Sequence, residues 1–333
     1  GQNYDLETAL SELVDNSLDA GSTKIDITYP SKKDRESSTD IIIKDNGDGM
    51  SRSELMEAMN LGCDRPYDDN EIGYFGVGMK SSLAYLSETV RIITKRKDDS
   101  FYTELEWNVE KEASYRVSKV EDGNKNRQGT TIIINPGGRY GHYSHSMEYI
   151  ITRRFGGRYY HLLNNKKLVR INVNNKEIQP ADPMYRDEKH VEVNKCVDIQ
   201  LPNGEFVKIH GYYLRNFQYD PNVFDSALGK KGFSSDRQGV YVLLNDRYIN
   251  LGGTFLGVRK LHNRENYLRI EMEIPKSATE YFSISMNKNS LGDILSDEVH
   301  SDVTKEAVRA AIKTLSSWGM NKDDMYKTST KST

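Results

Sequence analysis

The chain has 333 residues and a formal net charge of −3, with 36% hydrophobic and 29% charged residues. This length is too great for one ordinary hydrophobic core, so we expect a globular protein of two domains. No apolar run approaches the ~20 residues that cross a bilayer, the small net charge gives no overall attraction to nucleic acid, and Cys63 and Cys196 lack the spacing of a zinc site.

The first predicted element is an amphipathic helix from about Leu6 to Ala20, which Gly21 ends. Apolar residues fall on one face of this helix, and Glu12 and Asn16 point the same way because they are one turn apart. Three carboxylates and one amide line the polar face: Glu12, Asp15, Asn16 and Asp19. An acidic stripe is usually a solvated helix face, but two glycine-rich turns follow this one.

Strands are predicted in the rest of the first half. Apolar residues alternate with polar ones at 25–29, a short continuous apolar run occupies 40–44, and four further β-like segments lie at 90–95, 101–109, 115–120 and 130–134. The strand at 40–44 ends in the tight turn Asp45-Asn46-Gly47-Asp48-Gly49-Met50. Ser51 and Glu54 then form a capping box that starts a helix.

A second glycine-rich stretch runs from Gly73 to Ser82 and leads into a helix, after an irregular loop at 61–72. Pro136, Gly137 and Gly138 break the strand pattern, which places a domain boundary near residue 140. We therefore predict three parts of the chain: a first domain 1–140, a second domain 141–320 and a flexible tail 321–333.

The second half mixes helices and strands. A helix-like segment at 147–163 is interrupted by two glycines, and a terminal helix is predicted at 297–317. The predicted strands lie at 169–173, 191–196, 206–214, 240–244, 267–274 and 282–286.

A basic stretch lies between Glu148 and Glu177, where no acidic residue occurs. Its cationic residues are Arg153, Arg154, Arg158, Lys166, Lys167, Arg170 and Lys176. Such a stretch could bind the phosphates of DNA, or it could pair with the acidic first domain.

Three common nucleotide or metal motifs are excluded. The Gly73–Ser81 stretch is no P-loop, because Met79 separates Gly78 from Lys80, and it is no dinucleotide-binding turn. The turn at Asp45 is no calcium loop, because Gly47 occupies a ligand position.

Four other motifs occur in a fixed order: Glu12-x-x-Asp15-Asn16, Asp45-x-Gly47-x-Gly49, Gly73-x-x-Gly76-x-Gly78 and Gly129-Thr130. This order resembles the GHKL ATPase superfamily, which includes gyrase, the large heat-shock chaperones, histidine kinases and MutL. Similarity to MutL is found in the segment ELVDNSLDAGSTKI. The segment YFGVGMKSS is similar to MORC ATPases and their bacterial relatives. Two segments of the second half, VRINVNNKEIQPADP and QGVYVLLNDRYI, are similar to transducer segments of that group. The resemblance implies an α+β chain: an ATP-binding α/β sandwich, then a transducer domain of mixed sheet and helices.

The resemblance also implies roles for the first two motifs. Asn16 would be the one protein ligand of a magnesium ion, whose amide adds no charge beside a triphosphate. Glu12 would orient and deprotonate the attacking water. Asp45 would accept a hydrogen bond from the adenine amino group, and Thr130 would share the adenine site. The resemblance implies that the backbone of the turn passes close to the adenine base at Gly47, Gly49 and Met50.

The third motif would bind the phosphates through backbone N–H groups at a helix start. This implied site comprises Gly73, Gly76, Val77, Gly78, Met79, Lys80 and Ser81. The loop at 61–72 would be a lid that closes over the nucleotide. In related proteins a lysine of the second domain reaches the terminal phosphate; Lys288 resembles it, and Lys276 is the alternative.

The resemblance therefore implies an intracellular ATPase, cytoplasmic or nuclear, that binds ATP and Mg²⁺, hydrolyses ATP slowly and forms a nucleotide-dependent homodimer. A MORC-like or MutL-like member would act on DNA, in genome silencing or in defence against foreign DNA. A chaperone-like ATPase acting on client proteins is the alternative. We expect the chain to be a fragment of a longer protein whose effector region lies outside it.

Overall fold

The computed structural model describes residues 6–30, 39–59, 77–111, 115–121, 128–139, 147–148, 150–165, 168–186, 191–193, 196–214, 237–262, 265–278, 282 and 303–329. The helices are α1 (Leu6–Asp19), α2 (Arg52–Met59), α3 (Val77–Leu86), α4 (Phe155–Arg158), α5 (Tyr160–Asn164) and α6 (Val303–Ser329). The strands are β1 (Lys24–Thr28), β2 (Ile41–Asp45), β3 (Thr89–Lys95), β4 (Phe101–Asn108), β5 (Tyr115–Glu121), β6 (Gly129–Asn135), β7 (Arg170–Val173), β8 (Lys176–Glu177), β9 (Glu192–Val193), β10 (Val197–Gln200), β11 (Phe206–Tyr213), β12 (Gly239–Leu244), β13 (Arg247–Leu251) and β14 (Leu268–Ile274).

The chain divides into two compact units. The first unit comprises Gly1–Phe155 and Leu162–Gln179, and the second comprises Gly156–His161 and Pro180–Thr333. Each unit has a mixed sheet with helices, which confirms the predicted α+β class. Among the described residues, none of the helices has the length and hydropathy of a bilayer-spanning segment.

The first unit contains a sheet of order β5-β4-β3-β6-β2-β1-β7-β8, in which β1 and β7 are parallel and the other pairs antiparallel. Along its central strands every second residue is buried, as in Ile41 and Ile43 of β2 and Ile132 and Ile134 of β6. α1 packs against α3 and β2, and α3 against β6. The buried face of the sheet therefore lies under these two helices.

The first unit extends beyond the predicted boundary near residue 140. β7 pairs with β1, so that Ile171 lies beside Ile25, and the Arg170 N–H donates to the Thr23 carbonyl at 2.9 Å. This pairing joins residues that are far apart in sequence, and no local pattern signals it. The segment 162–179 consequently belongs to the first unit.

The second unit contains a sheet of order β10-β11-β14-β12-β13, with β9 paired to β11. One side of its core is rich in buried tyrosine, including Tyr241 and Tyr248. α6 packs on β10, β11 and β14. The helix comes close to the sheet at Gly211, where a Cβ would lie 2.9 Å from Leu315 Cδ2.

α6 corrects the predicted tail, because the helix continues to Ser329 instead of ending near residue 317. Lys322 forms an ion pair with Glu192, and Asp323 is only 2% exposed. The polar composition of 321–329 indicated solvent exposure, but these contacts within the second unit hold the last turns of the helix.

Candidate functional site

Three adjacent strands of the first unit end in polar side chains on the buried face of the sheet. Asp45 ends β2, Thr94 lies near the end of β3, and Thr130 near the start of β6; each continues a row of buried aliphatic residues at alternate positions. Thr94 and Thr130 are cross-strand partners, and their hydroxyl groups are 2.9 Å apart. The alternation of the strands therefore creates a buried polar corner.

The carboxylate of Asp45 is the centre of this corner. Its Oδ1 accepts hydrogen bonds from the N–H groups of Gly47 at 2.9 Å and Thr130 at 3.1 Å, and its Oδ2 accepts one from the Ser17 hydroxyl at 3.0 Å. Burial raises the pKa of the Asp45 carboxyl, and these hydrogen bonds offset part of that rise. The sequence motif thus coincides with a fixed, buried hydrogen-bond acceptor.

The turn after Asp45 is packed backbone against backbone. A Cβ on Gly47 would lie 2.7 Å from the Ala20 carbonyl oxygen, and one on Gly49 would lie 2.0 Å from that of Lys95. Gly49 also has φ +68°, which favours glycine. The Met50 N–H donates to Thr94 Oγ1 at 2.8 Å. Glycine is therefore needed for this turn to pack against the end of α1 and against β3. That the turn also passes close to an adenine base stays a prediction.

Glu12 lies against the N-terminal end of α3. The residue is 9% exposed, and a Cβ on Gly78, the second residue of α3, would lie 2.2 Å from Glu12 Oε1. The N-terminus of a helix favours negative charge, both of a carboxylate and of a phosphate. The structure thus places the predicted base at the helix start that was predicted to bind phosphate.

Asn16 lies one turn after Glu12 on α1 and is half-buried. Among the described residues, its side-chain amide makes no hydrogen bond. Asp15 is 3% exposed, so the polar face of α1 is largely covered by protein. This face is therefore not the solvated stripe that an acidic run usually forms, because Glu12 and Asp15 are buried and α1 packs against α3.

The remaining residues of the predicted phosphate site are only partly brought together. α3 begins at Val77, so Met79, Lys80 and Ser81 lie in its first turns. Met79 is buried, Ser81 is exposed, and the Lys80 ammonium lies 5.9 Å from the centroid of the Trp107 ring. Lys80 therefore has a partner on β4. The predicted residues Gly73 and Gly76, the lid at 61–72 and Lys288 lie outside the described residues. Lys276 begins a short 3-10 helix of the second unit, so the choice between the two lysines stays open.

Two arginines of the basic stretch 148–177 are engaged inside the fold. Arg154 Nε donates to Glu7 Oε2 at 2.8 Å. This contact agrees with the alternative prediction, in which the stretch pairs with the acidic first domain. Arg158 is buried and donates to the Tyr248 carbonyl at 3.0 Å. Arg170 and Lys176 are exposed. Arg154 and Arg158 are therefore engaged by protein, and DNA binding by the rest of the stretch stays a prediction.

Sequence reasoning missed two residues of the polar corner, Ser17 and Thr94. At helical spacing Ser17 falls on the same face of α1 as the apolar residues Leu10, Leu13 and Val14, and its hydroxyl donates to Asp45. That anomaly was a usable signal. Thr94 was included in a predicted strand, but its partner Thr130 becomes visible only from the β3–β6 register.

Comparison with known proteins points to the same region. Residues 4–130 match the family model described as histidine kinase-, DNA gyrase B- and HSP90-like ATPase. Human ATPase MORC2 is 33% identical over 92 residues, which are 27% of this chain and 9% of that protein. Chaperone protein HtpG of Pseudoalteromonas translucida is 29% identical over 156 residues, 39% of this chain and 23% of HtpG. The match therefore spans a small part of either relative.

The fold of the whole chain also has a solved counterpart. The crystal structure of the N-terminal domain of a DNA repair protein matches with a TM-score of 0.52 over 97% of this chain and 95% of that one. The two sequences are 18% identical, so this likeness concerns the fold alone.

Proposed function

We propose that the first unit, whose residues 4–130 match the family of histidine kinase-, DNA gyrase B- and HSP90-like ATPases, binds ATP with magnesium beside α1, β2, β6 and α3 and hydrolyses it. The observation that carries this proposal is the position of the Glu12 carboxylate, held against Gly78 at the N-terminus of α3. An acid at a helix start is in place to act on a water beside a bound phosphate.

The donor set fits magnesium bound chiefly through the nucleotide. Within the described ranges, no three His, Cys, Asp or Glu side chains gather into a metal-binding cluster. Mg²⁺ usually takes one or two protein oxygen ligands and completes its shell with waters and substrate phosphates. The half-buried amide of Asn16 would supply that protein oxygen. When bound, the ion would neutralise charge on the phosphates.

Different residues of the chain would bind the adenine, the phosphates and the attacking water. Asp45 would accept a hydrogen bond from the adenine amino group, in the corner that it forms with Thr94 and Thr130. N–H groups at the start of α3 would donate to phosphate oxygens. Glu12 would orient the attacking water and take its proton, while the water oxygen attacks the terminal phosphorus and ADP leaves.

The variants Glu12→Ala and Asn16→Ala test these roles separately. We expect Glu12→Ala to lower ATP turnover by at least about a hundredfold and to leave ATP binding intact, because a lost general base affects the chemical step. Asn16→Ala should lose magnesium-dependent ATP binding. Binding is measured by calorimetry and turnover by phosphate release, with Glu106→Ala, an exposed carboxylate of the same unit, as the control. Normal turnover by Glu12→Ala would refute the site.

We further propose that ATP closes the loop at 61–72 and stabilises a homodimer that acts on DNA. A ligand shifts a chain toward whichever state binds it more tightly. Supporting this role are the MORC2 match and the MutL-like and MORC-like motifs.

A chaperone-like function is the second candidate, favoured by the HtpG match over 39% of the chain. The two candidates differ in what stimulates turnover. DNA should accelerate ATP hydrolysis if the chain acts on DNA. An unfolded client protein should bind and accelerate it if the chain is a chaperone, and acceleration by the client alone would reject the DNA role.

A further inference from the structure

The second unit contains an open cleft that the proposed ATPase chemistry does not use. It has a volume of about 460 Å³ and lies between the segment 258–262, which follows β13, and one face of α6. Four of its lining side chains are basic: Arg259, Lys260, His262 and Lys313.

Arg259 anchors the segment 258–262. Its Nη1 donates to the Ser316 hydroxyl at 2.7 Å and forms an ion pair with Glu265 Oε1 at 3.2 Å. Glu265 is fully buried, so its carboxylate balances the guanidinium charge locally. At the other end of the segment, the His262 N–H donates to Gln238 Oε1 at 3.1 Å. The segment is thus fixed both to α6 and to the residue before β12.

Lys260 and Lys313 supply the positive charge of the cleft. Both are exposed, and in the described part of the chain neither has an ion-pair partner. They belong to separate elements that face each other across the cleft. Because Arg259 is already neutralised by Glu265, these two ammonium groups are the charges that an anion would meet.

The exposure of the lining residues indicates the kind of anion. Lys260, Leu261, His262 and Lys313 are all exposed, whereas a small-molecule site normally encloses most of its ligand. An open cleft lets a long chain enter and leave. Lysine ammonium groups are point charges suited to phosphate oxygens along a strand, and Leu261 offers an apolar contact beside them.

We propose that this cleft holds backbone phosphates of a nucleic-acid strand through Lys260 and Lys313. The choice of nucleic acid rests on the proposed DNA role of the chain. In the stretch 148–177, by comparison, Arg154 and Arg158 are engaged inside the fold, whereas both lysines of the cleft are exposed.

The test is binding of a short fluorescein-labelled DNA duplex to the full chain across a salt series. We compare Lys260→Gln/Lys313→Gln and Lys260→Glu/Lys313→Glu with Lys97→Glu, an exposed turn lysine of the first unit that serves as the charge control. The slope of log affinity against log salt should fall by roughly two in the Gln variant, about 0.9 for each lost phosphate contact. Lys97→Glu should keep the wild-type slope. Circular dichroism checks that each variant is folded.

Three outcomes decide the proposal. A reduced slope in both double variants, with the control unchanged, supports it. An unchanged slope and affinity in folded double variants would overturn it. Displacement of the duplex by inorganic phosphate, at concentrations too low to act by ionic screening, would also overturn it, because the cleft would then bind free phosphate. ATP turnover is measured on the same wild-type preparation. Turnover without duplex binding rejects only the proposal that the cleft binds DNA. Lysine-dependent duplex binding without turnover rejects only the proposed ATPase function.

Discussion

At the scale of single residues, the contact between Glu12 and Gly78 joins the catalytic proposal to the fold. α1 positions the carboxylate through buried residues such as Leu13 and Val14, and Gly78 leaves the space that the carboxylate fills. A helical glycine is normally destabilising by about 1 kcal/mol relative to alanine. Its presence at the second position of α3 is explained by this contact.

Gly78→Ala should therefore lower ATP turnover by about a hundredfold, because a misplaced catalytic group loses the geometry of the reaction. The added Cβ would displace the end of the Glu12 side chain, while the fold gains helix propensity. Gly21→Ala is the matched control, since Gly21 has φ +72° and no atom within 4 Å of the added Cβ. It should lose about 1 kcal/mol of stability and keep its turnover. Wild-type turnover by Gly78→Ala would contradict the placement of Glu12.

His161 gives the second unit a pH-dependent stability. Burial lowers the pKa of this imidazole from 6.5, and the nearby positive charge of Arg186 lowers it further. Between pH 6.5 and the lower pKa of the folded state, the unfolded chain therefore binds a proton that the folded chain does not, and the free energy of unfolding decreases as the pH falls through that window. The stability that the second unit gains from a neutral His161 is fully present above pH 6.5 and is lost as the pH falls through the folded-state pKa.

His161→Gln should remove this part of the pH dependence while keeping a group that can contact the Tyr248 hydroxyl, which lies 3.4 Å from His161 Nε2. Thermal unfolding of the variant and of the wild type is compared from about pH 5 to pH 8. We expect the stability of the wild type relative to the variant to fall on the acid side. Parallel curves would show that His161 titrates normally.

At the scale of elements, the last turns of α6 stabilise the second unit. Truncation after Met320 removes the ion pair of Lys322 with Glu192 and the buried Asp323. We expect the free energy of unfolding to fall by roughly 1–3 kcal/mol. Met325→Ser changes a side chain that is 67% exposed, so it should have an effect within about 0.5 kcal/mol. Chemical denaturation measures both, and a truncated chain as stable as the wild type would restore the predicted flexible tail.

The elements that the sequence predicted well are those with strong local signals. α2 begins at its capping box, where the Ser51 N–H donates to Glu54 Oε2 at 2.8 Å and the Glu54 N–H to Ser51 Oγ at 3.3 Å. α1 ends before Gly21, which has positive φ. Asp45 and Thr130 were predicted as site residues because their motifs are local.

What escaped prediction depends on contacts between distant residues. Thr94 joins the site only through the β3–β6 register. The end of α6 depends on Glu192, which lies on β9. The first unit includes 162–179 because β7 pairs with β1. Alternation along a strand reveals which face is buried but not which strand is its neighbour.

At the scale of the whole molecule, we expect ATP to control assembly. Light scattering on the chain without nucleotide, with ADP, and with a non-hydrolysable ATP analogue should show a dimer only with the analogue. The reason is that a nucleotide bound better by the dimer stabilises it by mass action. A constant mass under all three conditions would reduce the proposal to a monomeric ATP-binding unit.

In the proposed complex, ATP binds in the corner formed by Asp45, Thr94 and Thr130 and extends toward Glu12. A crystal structure with magnesium and a non-hydrolysable ATP analogue tests this most directly. We predict that the adenine amino group donates to Asp45, that the Asn16 amide oxygen coordinates the ion, and that the terminal phosphate lies near Glu12 and the start of α3. An analogue bound elsewhere, or a metal ion bound without Asn16, would contradict this binding mode.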